Sequence, residues 1–369
     1  VSPYARQRDA AITSRLPLRI VGGLSVYPPE AVKKKDGTPY TVYTPFSRAW
    51  KALPRPQAED ILPAPDFILT LNEAQSAVLP DFPRLSERVP FVAGEAEAQR
   101  RLEAFASDRI FRYSEDRNRM DVEGTSQLSP YLRFGMLSVR QATVAAHQAM
   151  AEAETRDARA NAETWLNELI WREFYQAILY HFPHVRRENF RAATRGLQWE
   201  PDPAAFERWR EGRTGYPVVD AGMRQLLATG WMHNRARMIV ASFLTKDLLI
   251  DWRWGERHFM QHLIDGDPAA NNGGWQWAAG TGADAVPYFR IFNPTLQGQK
   301  YDRQGDYVRR WVPELARVPD RYIHQPWTMP ESVQEESQCH IGKAYPRPIV
   351  DHAWARGRAL RMYKAARTQ

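Results

Sequence analysis

Only one stretch of this chain reads as a β-strand. LRIVGG, residues 18–23, is a short apolar run ending in two glycines, and it follows PYARQRDAAITSR, residues 3–15, whose composition suits a helix. Together they look like one αβ unit. A lone strand has nothing to pair with, and parallel partners are joined through long helical crossovers, so the expectation is a chain that begins inside an α/β domain whose opening strands are missing.

Further along the pattern is helical. In GEAEAQRRLEAFASDRI, residues 94–110, charge alternates while Leu102, Phe105 and Ile110 recur at near-helical spacing, and in NRARMIVASFLTKDLL the pairs Ile239/Phe243 and Val240/Leu244 stand at i,i+4. Between the two regions, LPRPQAEDILPAPDF and VLPDFPRLSERVP are rich in proline and acids, as in an interdomain connection. The expected fold is therefore α/β plus all-α: residues 1–60 as the remnant of an α/β domain, 61–84 as a connection, and 85–369 as a large helical unit. No internal repeat or low-complexity tract interrupts it.

Composition narrows the function classes. Of 369 residues 43% are hydrophobic, enough for one large core or two moderate ones. Cys339 is the only cysteine, which excludes an intramolecular disulfide framework and multi-cysteine metal sites. With no apolar run near the roughly 20 residues of a membrane span and no secretory signal at the N-terminus, the expectation is a soluble, cytoplasmic protein with no membrane partner. Lys+Arg exceed Asp+Glu by 50 to 43, which favours a polyanionic partner. Thirteen tryptophans suggest stacking or electron-transfer work besides packing.

Several motifs have two readings. GTGADA, residues 280–285, matches a dinucleotide fingerprint on paper, but a tryptophan-rich helical segment precedes it where a strand is required, so that reading is rejected. His258 and His262 share a helix face without a catalytic glutamate after the first, and Asp265 and Asp267 have no further ligands nearby; no metal site is expected. In DGDPAANNGGWQWAAG, Asp267 suits an N-cap and Pro268 the first helical position. Asn271, Gly274, Trp275 and Ala278 then share a face shallow enough for a flat ring, while Trp277, two residues on, projects to nearly the opposite side and is not expected to line the same surface. Two core tryptophans beside a helix–helix contact would fit the same spacing.

In WLNELIWREFYQAILYHFPHV, residues 165–185, Leu169, Ile170, Phe174 and Ile178 point to a core, while Glu168, Trp171 and Arg172 cluster at i, i+3 and i+4. A carboxylate beside a large aromatic suits a nucleobase, and an ordinary ion-paired helix face suits the same letters. RYSEDRNRMDVEGTSQLSPYLRFG, residues 112–135, ends a basic stretch in a hydroxyl-rich turn before a helix start, a place for phosphate oxygens or a plain cap.

Taken in order, these segments with GYPVVDAGMRQLLATGWMHNRARMIVASFL, DWRWGERHF and DGDPAANNGGWQWAAGTGADAVPYFRIFNP resemble the photolyase/cryptochrome family over roughly residues 85 to 320, and within it class I cyclobutane pyrimidine dimer photolyases. The resemblance implies a Rossmann-like antenna domain followed by a helical FAD-binding domain, and light-driven repair of ultraviolet-damaged DNA by a monomer carrying reduced FAD. An antenna chromophore (folate, deazaflavin or flavin) is placed in doubt by the missing strands.

It further implies that Tyr113, Thr125, Ser126, Gln127, Leu128 and Ser129 hold the FAD phosphates and ribityl chain. Asp265, Gly266 and Asp267 would lie against the cofactor, with Arg237 paired to Asp265 and Asn271 facing the flavin. Trp275, Trp252 and Trp199 would relay electrons from flavin to surface. Trp171 and Trp277 would wedge a flipped dimer, with Glu168 bonding the bases and Met238 on the pocket wall. Arg117, Arg172, Asn234, Arg235, Arg290 and Gln297 complete the DNA-contacting set. A cryptochrome photoreceptor is the rival, and the presence of Glu168, Trp171, Trp277 and Met238 counts against it.

Overall fold

A computed structural model describes residues 3–17, 23–63, 65–69, 78 and 89–368. Residues 18–22, which hold nearly all of the expected strand, lie outside the described residues, as does most of the 61–84 connection. Among the described residues the fold is helical, and β-pairing is limited to isolated bridges, Lys33 with Pro39 and Ile341 with Tyr345.

The expected helices form where local chemistry favours them. Pro3–Thr13 is helical, and so is Glu95–Ala106, with Ala98, Leu102 and Phe105 buried on one side. The longest helix, Arg156–His181, begins at Thr155, whose side chain accepts from Ala158 N–H. It carries Leu169, Ile170, Phe174 and Ile178 inward and packs on the helices Val139–Glu152, Tyr43–Lys51 and Pro268–Ala279. Asn234–Ser242 runs into one π-helical turn, Phe243–Asp247, which leaves Lys246 and Asp247 fully buried.

The helix Pro268–Ala279 is built as its sequence suggests. Asp267 accepts from the N–H groups of Ala269 and Ala270, both at 2.9 Å, proline occupies the first turn, and Gly280 ends the helix at φ 75°. GTGADA is therefore the exit turn of a helix, with Asp284 also left-handed at φ 47°.

The apolar interior divides into two clusters. One gathers Phe105, Trp165, Ile170 and Phe174 around the long helix and takes in Val26, Val32, Phe46 and Trp50 from the N-terminal segment. The other holds Trp209, Val240, Trp252, Phe259 and Trp275 together with Cys339. Glu173 ties the N-terminal segment down: its buried carboxylate accepts from Val26 N–H at 2.5 Å and from Trp50 Nε1 at 2.7 Å. A change in composition along the chain does not produce a break in packing there.

Candidate active site

A cavity of 470 Å³ opens at the seam between the two apolar clusters, within the usual size range of cofactor and substrate pockets. Tyr113, Leu128, Trp165 and Leu169 come to it from one cluster, Ala241, Phe259, Leu263 and Trp275 from the other. Helices from distant parts of the sequence thus make the walls, and the seam between cores leaves room.

The Pro268–Ala279 helix forms one wall. Asp267, Ala270, Asn271, Gly274, Trp275 and Trp277 all line the cavity. The expectation that Trp277 could not share a surface with Trp275 is corrected here. Two residues turn a helix by about 200° in one sense, but by only about 160° in the other, and that shorter arc crosses Gly274 and Ala270. A Cβ on Gly274 would meet nothing within 4 Å. The middle of the arc is therefore hollow, and the two indoles stand at its edges. Ala278, expected on this face, is buried in the core and does not line the cavity.

On the facing wall the long helix contributes Trp165, Glu168, Leu169, Trp171, Arg172 and Tyr175. Arg117 Nη1 donates to Glu168 Oε1 at 2.5 Å. Burial pushes the Glu168 carboxyl above the usual carboxylate range, and Arg117 opposes the shift. Arg172 donates to the carbonyls of Leu24 (2.6 Å) and Leu132 (3.4 Å), so its guanidinium braces the N-terminal segment against the site. Tyr175 fills the space left by Gly273, where an added Cβ would come within 2.1 Å of its ring.

At the inner end, Arg237 Nη2 lies 2.8 Å from Asp265 Oδ2, and the Arg237 Nε donates to Met232 O. Arg133 Nε donates to Gly266 O at 2.6 Å, which fixes the turn before the Asp267 cap. Asn271 is held by its amide donating to Glu256 O at 2.9 Å. Among the described residues, Asp265 Oδ1 and Trp275 Nε1 are buried with no hydrogen-bond partner, so this wall keeps one acceptor and one donor for a bound polar group.

Of the other expected residues, Ser126, Leu128, Ser129, Asn234 and Met238 line the cavity, while Thr125, Gln127 and Gly266 do not. Gln127 sits at φ 52° and accepts from Arg101. Arg235 also lies off the cavity, its guanidinium 4.4 Å from the Tyr301 ring centroid and bonded to Asn118. Arg290 is exposed and Gln297 half-buried, both outside the cavity lining. Trp252 is fully buried with Nε1 donating to Asn189 Oδ1 at 2.8 Å, and Trp199, half-buried, packs on the same cluster as Trp252 and Trp275. His258 and His262 have ring centroids 4.2 Å apart, and among the described residues no group of three His, Cys, Asp or Glu is arranged to hold a metal.

Sequence reasoning missed several lining residues. Arg133, in SPYLRFG, and Tyr175, one turn beyond Trp171, were within the segments already singled out; Leu132, Phe259 and Leu263 carried only a core signal.

The sequence and the fold both have known relatives. Residues 165–365 match the family described as the FAD binding domain of DNA photolyase, and residues 1–66 match the DNA photolyase family. The chain belongs to the photolyase/cryptochrome family. It is 47% identical over 351 residues to the deoxyribodipyrimidine photo-lyase of Vibrio cholerae, covering 93% of this chain and 72% of that one. Its fold is like that of the class III photolyase from Agrobacterium tumefaciens, with a TM-score of 0.89 at 39% identity, over all of this chain and 78% of the other. A cryptochrome from Synechocystis follows at TM-score 0.80 and 34% identity, over 92% of this chain and 72% of that one. No helix among the described residues is long and apolar enough to cross a membrane.

Proposed function

We propose that this protein is a deoxyribodipyrimidine photo-lyase that repairs cyclobutane pyrimidine dimers in ultraviolet-damaged DNA. One observation carries the reading: Glu168, Trp171, Met238 and Trp277, the residues expected to take the lesion, border the same cavity as Asp265 and Asn271, expected to hold the flavin. A signalling cryptochrome needs no such lesion wall, so the likeness to the Synechocystis protein does not favour that reading. Class I is retained as the class that the motifs resemble.

The residues at the inner end suit FAD. The Arg237–Asp265 pair, the spare acceptor on Asp265, Tyr113 and the Ser126 and Ser129 hydroxyls offer contacts for its polar groups, and Arg133 adds positive charge for its phosphates. Thr125, Gln127 and Gly266, proposed with them as cofactor-binding, lie beside these residues in sequence but off the cavity lining. When bound and reduced, the flavin supplies the light-driven electron that opens the cyclobutane ring.

The chain's own part is binding, orientation and exclusion of water. Extruding a base from the duplex costs about a few kcal/mol and is cheapest at a lesion whose pairing is already weak. Trp171 and Trp277 give the extruded bases flat apolar faces, and Glu168, its charge disfavoured by burial, is suited to hydrogen-bond them and steady developing negative charge. Arg117, Arg172, Asn234, Arg235, Arg290 and Gln297 are proposed to meet the DNA around the opening. Trp275, Trp252 and Trp199 form the proposed electron relay, an assignment supported by their common apolar cluster and by the half-exposure of Trp199. Residues 1–60 are assigned to the family's Rossmann-like unit, 61–84 to its connection, and 85–369 to the FAD- and DNA-binding helical unit.

The test is loss of thymine dimers from irradiated DNA, with flavin-loaded, reduced protein, under blue light and in darkness. Repair only in the light is expected. A folded, flavin-loaded protein that removes no dimers in the light refutes the proposal.

A further inference from the structure

The face of Trp171 turned away from the cavity is covered by a residue from far upstream. The Tyr43 ring lies parallel to the Trp171 indole, with centroids 3.7 Å apart and planes 4° from parallel. Trp171 lines the cavity and Tyr43 does not. The tyrosine therefore backs the indole and leaves its other face for whatever enters.

Tyr43 is held at three points. Its hydroxyl donates to the Asn167 carbonyl at 2.9 Å, one turn before Trp171 on the long helix. Its backbone N–H donates to Asp284 Oδ2 at 3.2 Å, in the left-handed turn that follows the helix of Trp277. Its ring stands edge-on to Phe174 at 6.0 Å. The same residue thus touches the carriers of both indoles that border the cavity: Trp171 through its ring, and the turn beyond Trp277 through its N–H. Trp171 itself is boxed further by Phe174 and Tyr175, each at 5.6 Å.

We infer that Tyr43 is a positioning residue for lesion recognition: it stacks behind Trp171, fixes the plane of that indole, and so sets the flat wall against which an extruded pyrimidine dimer stacks. The inference rests on the proposed role of Trp171 and adds a determinant from outside the helical FAD-binding region. An indole with freedom to tilt would lose part of its stacking with a bound base, whereas a ring already stacked has little freedom left to lose. Aromatic pairs contribute a modest amount beyond the area they bury, which corresponds to about a two- to tenfold effect on selective binding.

The experiment measures, in darkness, the affinity of flavin-loaded protein for an oligonucleotide duplex with one thymine dimer and for the same duplex without it. Tyr43→Leu, which keeps apolar bulk but no flat ring, should lower the affinity ratio about two- to tenfold with flavin content unchanged; Tyr43→Phe, which keeps the ring, should restore most of the ratio. In a Trp171→Ala background Tyr43→Leu should have no further effect on the ratio. An unchanged ratio in Tyr43→Leu, a Tyr43→Phe variant as poor as Tyr43→Leu, or additive losses in the double variant overturns the inference while leaving Trp171 as a stacking residue. If Trp171→Ala itself leaves the ratio unchanged, the role of Trp171 fails and the inference with it.

Discussion

Gly273 and Gly274 are neighbours in one helix, and adding a single methyl group to each should have opposite consequences. At Gly273 the new Cβ would come within 2.1 Å of the Tyr175 ring, whose movement is restrained by its packing on Trp171 and Phe174. Overpacking of this kind costs about 1–3 kcal/mol, while alanine gains about 1 kcal/mol over glycine within a helix, so Gly273→Ala should lose up to about 2 kcal/mol net. At Gly274 the Cβ meets nothing within 4 Å, so the flavin-free protein should gain about 1 kcal/mol. Unfolding entropy of roughly 2.1 cal/mol/K per residue makes 1 kcal/mol worth only about 1.3 °C at this length, so denaturant midpoints are the better measure. The gain at Gly274 carries a penalty for function, because the methyl group fills the hollow of the arc between Trp275 and Trp277. Flavin titration of the stabilised Gly274→Ala protein should show weaker binding than the parent. Normal flavin affinity in Gly274→Ala, or a Gly273→Ala protein stabilised as much as Gly274→Ala, refutes the reasoning that one glycine serves the cavity and the other the helix contact.

Trp277→Ala should reduce discrimination between dimer-containing and undamaged DNA by about 1–3 kcal/mol, the usual worth of base–aromatic stacking; equal affinity ratios in variant and parent would refute the role given to this residue. Trp275→Phe should block light-driven reduction of the bound flavin, followed by absorbance, yet leave repair intact once the protein is reduced chemically. Lys246 is buried, donates to Ala279 O at 3.2 Å, and is pushed by burial down to about 7. Its folded pKa lies below the unfolded one, so the unfolded chain binds the extra proton between about pH 7 and 10.5, and the resulting destabilisation is complete below pH 7 and fades as pH rises through that window. Lys246→Met should therefore stabilise the protein by a few kcal/mol at pH 6 and much less at pH 10 in denaturant melts, the contact of Lys246 with the Tyr363 ring at 3.9 Å offsetting part of the gain; a difference independent of pH would refute it.

How much of the site could be read from the sequence depended on whether its cause was local. The Asp267 cap, the proline after it and the Gly280 stop are local chemistry, and the helix they delimit is where it was expected. The buried face of the long helix was legible for the same reason, since periodicity alone places Leu169, Ile170, Phe174 and Ile178. The error over Trp277 came from treating the Pro268–Ala279 helix as having two flat sides. Its angular steps were right, but nothing local says that the surface opposite is concave, and only the meeting of two apolar clusters leaves a cavity reaching around 160° of a helix.

Contacts across long sequence separations were legible only through the resemblance, as for Arg237 and Asp265. Nothing in VYTPFSRAW marks Tyr43 as the backing of an indole 128 positions away, and a proline-rich connection after it argues for separation. Yet the turn of the long helix that bears Trp171, Arg172 and Glu173 is met point by point from the N-terminal segment. Tyr43 stacks on the first, the Leu24 carbonyl accepts from the second, and Val26 and Trp50 donate to the third. Glu173 is the most demanding of these, because burial disfavours its charge and its donors, Val26, Tyr27 and Trp50, come from that segment. Removing those donors would leave a buried carboxylate unsatisfied, at a cost of about 1–3 kcal/mol or more for a charged group. The N-terminal segment is therefore part of what holds the long helix in place, and the division that composition draws between residues 60 and 85 separates two stretches of sequence whose energetics are joined at one turn of that helix.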